Sequence, residues 1–141
     1  MSLARTVIVI AHERKVPDLV KLIRTRIEVF QEYRLLATLE TGTALEQELG
    51  LEVTSLFSGH KGGEIQLCGL VCSNTIRAVY FLRDPVAPAF DEPDITPFYR
   101  ACDTNNVPMA TNMVAAVALT YWLGRHLQQT KAVVADAGGV D

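Results

Sequence analysis

Residues Thr6 to Ala11 read Thr-Val-Ile-Val-Ile-Ala, an apolar, β-branched run with no polar residue alternating into it. A strand with one wet face alternates with period two. A run without alternation suits a strand covered on both faces, as in a parallel sheet with helices on either side. The rest of the chain fits that demand. Pro17 suits a first helical turn, and Leu19, Leu22, Ile23, Ile27 and Phe30 recur at helical spacing. Arg34–Leu39 reads as a second strand ending at Glu40. Thr41-Gly42-Thr43 opens a short helix over Ala44–Leu49, which Gly50 closes. Leu51–Phe57 is a third strand, and Ile65–Cys72 the helix after it. Ile76–Leu82 is a fourth strand, ending at Arg83-Asp84-Pro85. A proline-rich, ordered loop, Val86–Pro97, leads into a helix over Thr96–Thr104. Val107–Thr111 is a fifth strand, Asn112–Leu127 an apolar last helix, and Ala132–Ala135 a short final strand. Strand–helix alternation of this kind predicts a parallel sheet with helices on both faces and right-handed crossovers.

In such a sheet the ligand site lies at the carboxyl ends of the strands. The residues expected there are His12 after the first strand, Thr38, Glu40 and Thr41 after the second, and Ser58-Gly59 after the third. Asp84 follows the fourth and Thr111-Asn112 the fifth. The third strand runs into Ser58-Gly59-His60-Lys61-Gly62-Gly63-Glu64, directly before a helix. A glycine turn there presents backbone N–H groups, with the helix dipole behind them, to an anion. Glu64 stands at the rim, where a carboxylate can act as a base. The plainer reading is a tight turn whose glycines supply positive φ, with Lys61 and Glu64 solvated.

The chain has 141 residues, 49% hydrophobic and 21% charged, with a net charge of −3, a profile that fits one globular domain over 1–141 and favours neither nucleic acid nor an anionic membrane. No run of eighteen apolar residues and no secretory leader is present, which points to the cytoplasm. Cys68, Cys72 and Cys102 form no CxxC pair and read as small buried hydrophobes rather than metal ligands or a disulfide. His126 reads as a surface residue, and Tyr121 and Trp122 as core or subunit interface.

Taken together, these motifs resemble the methylglyoxal synthase family. Ile-Ala-His stands at the first strand end, Ala-Thr-x-x-Thr-Gly at the second, and Ser-Gly-x-x-Gly-Gly with a carboxylate at the third. Asp-Pro stands at the fourth, Asp-x-x-Asp in the proline loop, and Pro-x-Ala-Thr-Asn at the fifth. The match runs in order from about Thr6 to Asn112. The resemblance implies a three-layer α/β/α fold with a central, mainly parallel five-stranded sheet of flavodoxin-like topology, and a homohexamer. It implies elimination of phosphate from dihydroxyacetone phosphate to give methylglyoxal, with no metal or organic cofactor. Carried over by position, Glu64 takes the place of the general base, where the family has aspartate. His12 takes the place of a histidine that binds the substrate's oxygens, and Asp84 and Asp94 match active-site aspartates. Thr38, Thr41, Gly42, Ser58 and Gly59 match groups that hold the phosphate.

The chain also departs from the family. Asp91 replaces the second active-site histidine, Val16 stands where a phosphate-binding lysine is expected, with Lys15 beside it, and Glu40 replaces a phosphate-binding threonine. An arginine near the family's C-terminus has no counterpart. Lys61 can restore some of that positive charge. The chemistry asks for a carboxylate base with a raised pKa, which crowding by Asp84, Asp91 and Asp94 would supply, and for a neutral His12 facing the oxyanion. The same fold also serves as an effector-binding module in carbamoyl phosphate synthetase, so a non-catalytic regulatory role with altered anion preference stands as the second reading. A flavodoxin-like redox role has neither GxGxxG nor an aromatic flavin-stacking loop to support it.

Overall fold

The computed structural model describes residues 5–56, 62–86 and 94–138, the side chains of residues 64, 130–132, 134 and 136–138 excepted. Its strands are β1 (Thr6–Ala11), β2 (Arg34–Thr38), β3 (Val53–Leu56), β4 (Ile76–Leu82) and β5 (Met109–Ala110). Its helices are α1 (Val16–Thr25), α2 (Ile27–Phe30), α3 (Leu39–Leu49), α4 (Gly63–Cys72), α5 (Thr96–Thr104) and α6 (Met113–Gly138). The strands form one sheet in the order β3-β2-β1-β4-β5, and every pairing is parallel. The three-layer α/β/α class is as expected. The order is 3-2-1-4-5 and not the 2-1-3-4-5 of flavodoxin, a distinction that strand–helix alternation alone does not carry.

Both faces of β1 are covered. Val7 and Val9 pack with α1, α2, α3 and α6 residues on one side, while Ile8 and Ile10 pack with α4 and α5 residues on the other. Hence the lack of alternation in the sequence: alternate residues go to two different cores. β4 follows the same rule, with Ala78, Tyr80 and Leu82 on the first face and Val79 and Phe81 on the second. Its register against β1 slips by one residue at Arg77, because Thr6 faces Ile76 and Val7 faces Ala78. The Arg77 guanidinium lies over Trp122, 4.7 Å from the ring centroid, and donates to His126 Nδ1 at 2.7 Å. Trp122 and His126 are themselves stacked.

Several boundaries differ from the expected ones. The first helix breaks at Arg26, whose φ of −126° and ψ of 42° leave the helical region. α3 starts at Leu39, so Thr41 and Gly42 lie inside it rather than before it. β5 is two residues long. The expected strand at Ala132–Ala135 is absent, because α6 continues through it. No glycine or proline interrupts residues 125–137, and the alanines there favour helix. Tyr121 and Trp122 are exposed and not core, and Cys72 is exposed while Cys102 is buried. Burial pushes the Cys102 thiol up to about 12. Among the described residues no helix is long and apolar enough to cross a membrane.

Tyr80 is wholly buried, and its hydroxyl lies 2.7 Å from Thr120 Oγ1. The Thr120 hydroxyl donates to Ala116 O, so the Tyr80 hydroxyl is the donor of that pair. Burial raises the Tyr80 pKa far above its ordinary value, against a smaller lowering by the Thr120 bond. A raised folded-state pKa means that the unfolded chain loses this proton first, so stability present below about pH 10 declines above it. The urea midpoint is expected to fall between about pH 9 and pH 11, and by less in Tyr80→Phe. Equal declines in the two proteins would show that Tyr80 is not the group responsible.

Candidate active site

Beyond the carboxyl ends of β1 and β4, a short chain of hydrogen bonds ties the two strands together. The His12 N–H donates to Leu82 O at 2.9 Å, one step beyond the last strand pair. The Asp84 N–H then donates to His12 Nδ1 at 2.8 Å. A ring nitrogen that accepts a backbone N–H carries no proton, so this bond selects the neutral tautomer with hydrogen on Nε2. The ring also meets Phe81 edge-on at 5.7 Å. Asp84 is 7% exposed, and its Oδ1 accepts the Val86 N–H at 3.1 Å, a local turn around Pro85 that orients the carboxylate.

The end of β2 joins the same edge. Thr38 flanks α3 in extended conformation, and its hydroxyl donates to Thr41 Oγ1 at 3.2 Å. Thr41 is wholly buried and also accepts the Ala11 N–H at 3.4 Å. β1 pairs with β2 only as far as Ile8, so Thr41 serves an N–H that the ladder leaves behind. Thr41 therefore faces inward and holds Thr38 and β1 together, while Thr38 is the more accessible hydroxyl.

A cleft of about 480 Å³ lies at the carboxyl ends of β4 and β5, lined by Lys15, Arg83, Tyr99, Thr111 and Asn112 among others. Arg83 Nη1 donates to Tyr99 Oη at 2.9 Å, and the guanidinium carbon sits 5.9 Å from that ring's centroid. Asn112 Oδ1 accepts the Ala115 N–H at 3.0 Å and so caps α6. Arg83 is the residue that sequence reasoning passed over. The available signal was its place next to Asp84 at a strand end, one residue out of phase with Leu82 and so on the α5 side.

The other sequence candidates are placed as follows. Gly62 has φ +88°, a value that a glycine adopts without strain, and its carbonyl accepts the Ile65 and Gln66 N–H groups as α4 begins. The plain turn reading of that glycine therefore holds. Glu64 lies in the first turn of α4, with its side chain outside the described set. Ser58, Gly59, Lys61 and Asp91 lie outside the described residues altogether. Gly42 faces the sheet: a Cβ there would meet Val53, Ala37 and Ser55 side chains at 3.4–3.7 Å, so it serves helix-to-sheet packing. Asp94 is exposed and caps α5, accepting the Thr96 N–H at 3.0 Å. That bond, with a further one from the Thr96 hydroxyl, lowers its pKa. It lines a groove with Cys68, Cys72 and Arg100. Glu40 is exposed in the first turn of α3, and Val16 is the first residue of α1.

Fold and site together define a doubly wound α/β protein whose polar groups converge where the crossovers change direction, the usual ligand position in this class. Relatives named methylglyoxal synthase are 42% identical over 117 residues in Moorella thermoacetica (83% of this chain, 91% of the relative) and 43% over 116 in Cupriavidus pinatubonensis (82% and 89%). The chain belongs to the methylglyoxal synthase family. A crystal structure of methylglyoxal synthase from Elizabethkingia anophelis superposes with a TM-score of 0.78 at 31% identity, covering 85% of this chain and 79% of that one. No family model matches the chain.

Thr41→Val keeps the shape of the side chain but leaves the Ala11 N–H without its acceptor. Stability is expected to drop by about 1–3 kcal/mol in urea denaturation, and Thr41→Ser to retain most of it. Equal stability of Thr41→Val and the parent would show that this hydroxyl bridges nothing of consequence.

Proposed function

We propose that the protein is a lyase that eliminates phosphate from dihydroxyacetone phosphate to give methylglyoxal. The observation that carries this reading is the Asp84 N–H bond to His12 Nδ1, which presents a neutral Nε2–H donor at the strand edge. In the reaction a base removes a proton from the hydroxymethyl carbon beside the carbonyl. The electron pair moves onto the carbonyl oxygen as an enediolate. Collapse of that enediolate breaks the C–O bond on the far side and expels phosphate with the bonding pair. The hydroxyl proton on the former hydroxymethyl carbon leaves as the aldehyde C=O forms there, and the enolate left behind takes a proton on its terminal carbon to become methylglyoxal.

In this scheme Glu64 is the base, and His12 Nε2–H donates to the enediolate oxygen, where a preorganised donor stabilises developing charge most. A neutral imidazole suits the task, because an imidazolium would hand over its proton and trap the intermediate. Asp84 orients His12 through its backbone and adds negative charge beside the base, with Asp91 and Asp94 as the further acidic groups of the family pattern. Thr38, Ser58, Gly59, Lys61 and Lys15 hold the phosphate, and Thr41 and Gly42 position Thr38 and the start of α3. The exposure of Glu40 lets water screen its repulsion of the phosphate, so Glu40→Thr should improve phosphate binding only a few-fold. Purified protein is expected to release methylglyoxal and phosphate in equal amounts. Glu64→Gln should cut turnover by roughly 10²–10⁴-fold without changing the circular dichroism spectrum. An inactive parent protein would overturn the lyase assignment in favour of a regulatory ligand-binding role. An active Glu64→Gln would overturn only the choice of base.

A homohexamer accompanies this reading. It is supported by Val114, Val117 and Tyr121, exposed at i, i+3 and i+7 along one stripe of α6. Light scattering is expected to give a mass several times 15.5 kDa, reduced by Val117→Glu. A monomer at micromolar concentration would overturn it.

A further inference from the structure

We propose that the groove between α4 and α5 is a covalent modification site for a 2-oxoaldehyde, in which the Cys68 and Cys72 thiols take up the aldehyde and Arg100 is the residue it finally modifies. The two thiols lie one turn apart on α4, and both line a groove of about 560 Å³ with Arg100, Ala101 and Thr104 of α5. The Asn105 amide donates to Cys72 Sγ at 3.7 Å, which aligns the ends of the two helices. Both helices join parallel strands and so run side by side in the same direction. One turn back from that bond, Cys68 is therefore in register with Ala101, the neighbour of Arg100.

The groups in this groove differ from their counterparts elsewhere. All three cysteines are thiols, with Cys72 exposed, Cys68 half-buried and Cys102 buried. Burial, ahead of the charge of Asp103, pushes the Cys102 thiol up to about 12, so it stays protonated and unreactive. Arg24, Arg26, Arg77 and Arg83 are tied to Glu48, Glu28, His126 and Tyr99. Arg100 is exposed and makes no hydrogen bond or ion pair among the described residues. Asp94, which also lines the groove, accepts the Thr96 N–H instead. Arg14, before α1, and Arg125, on α6, are exposed as well but stand on elements that carry no cysteine.

The chemistry balances without an added oxidant. A thiol adds across the aldehyde C=O: the S–C bond forms, the π pair goes to oxygen, and that oxygen takes the thiol proton. This hemithioacetal is reversible and holds the dicarbonyl beside the guanidinium, which raises its effective concentration there. On release from sulfur, two guanidinium nitrogens bond to the two carbonyl carbons. One water and one proton leave. An internal hydrogen shift takes the aldehyde carbon to the amide level and the ketone carbon to CH. The hydroimidazolone ring that results carries no charge, and the thiol is regenerated. Glu64 stands one turn before Cys68 on α4, so product made there is released at the head of this groove. That the protein's own methylglyoxal is the natural reagent rests on the lyase reading above. The reactivity of the groove does not.

The test is timed exposure of the intact protein to added methylglyoxal, followed by digestion and peptide mass spectrometry. Arg100 is expected to gain the mass of methylglyoxal less one water about tenfold faster than Arg14 or Arg125. Cys68→Ser combined with Cys72→Ser should bring Arg100 down to their rate, while Cys102 stays unmodified. Arg100 reacting no faster than Arg14 and Arg125 overturns the proposal, and that comparison within the parent protein needs no variant to fold. An Arg100 that keeps its full lead in the double serine variant overturns it too, because the thiols then deliver nothing. Supplying dihydroxyacetone phosphate in place of methylglyoxal should modify the same arginine first. A parent protein modified at Arg100 by added methylglyoxal, yet inactive on dihydroxyacetone phosphate, would sink the lyase reading and leave the site standing.

Discussion

The structure depends on the burial of β1 from both sides. Val7, Ile8, Val9 and Ile10 are each at most 6% exposed, although they alternate between two separate cores. A central strand of this kind fixes where every other element must go. β2 and β3 build outward on one side through α1 and α3, and β4 and β5 on the other through α4 and α5. Right-handed crossovers running in opposite directions place those helix pairs on opposite faces. The two series part between β1 and β4, where no crossover covers the sheet edge. The His12 ring and the Asp84 N–H meet across that gap. The hydrogen bond that selects the imidazole tautomer is thus a consequence of the strand order.

Elements with strong boundaries were legible from the residues alone. β4 and α5 run over the expected residues, β4 because its apolar run ends at charged Arg83, α5 because Pro97 fits the first turn and Asn105, just past Thr104, leaves the helical conformation. Weak boundaries misled. Thr38 is extended and ends β2, and Leu39, which continues the apolar run, is already helical and exposed. Sequence periodicity has no means of separating a buried strand residue from an exposed apolar residue in a first helical turn. The Ala132–Ala135 segment is β-branched enough to read as a strand, yet it follows α6 without a break, and a helix already nucleated extends cheaply.

The candidate site divides along the same line. His12, Thr38, Thr41 and Asp84 were legible because position after a strand is a property of order, and order survives errors of a residue or two. The division of labour between Thr38 and Thr41 was not, because both are threonines three apart and only packing shows that Thr41 is wholly buried. Gly42 read as a ligand-facing glycine, and packing turns it to the sheet. Arg83 stayed hidden for a further reason: it shares its cleft with Lys15, Tyr99 and Asn112, which come from three distant parts of the chain. A cluster of that sort has no signature at any fixed spacing.

Burial also decides which of the charges near the edge matter. Glu40 stands out in the sequence as an anion where an anion should bind, but its side chain is exposed in the first turn of α3. A carboxylate there is stabilised by the helix dipole and screened by water and salt, so its field fades over about a Debye length. Lys15 and Arg83 are each partly buried and line one cleft. Low-dielectric walls keep the field of such charges within the cleft and strengthen it there. A chain of net charge −3 can therefore still gather positive charge at one place on its sheet edge, since the sign met there is set by the few charges that line the cleft and not by the total.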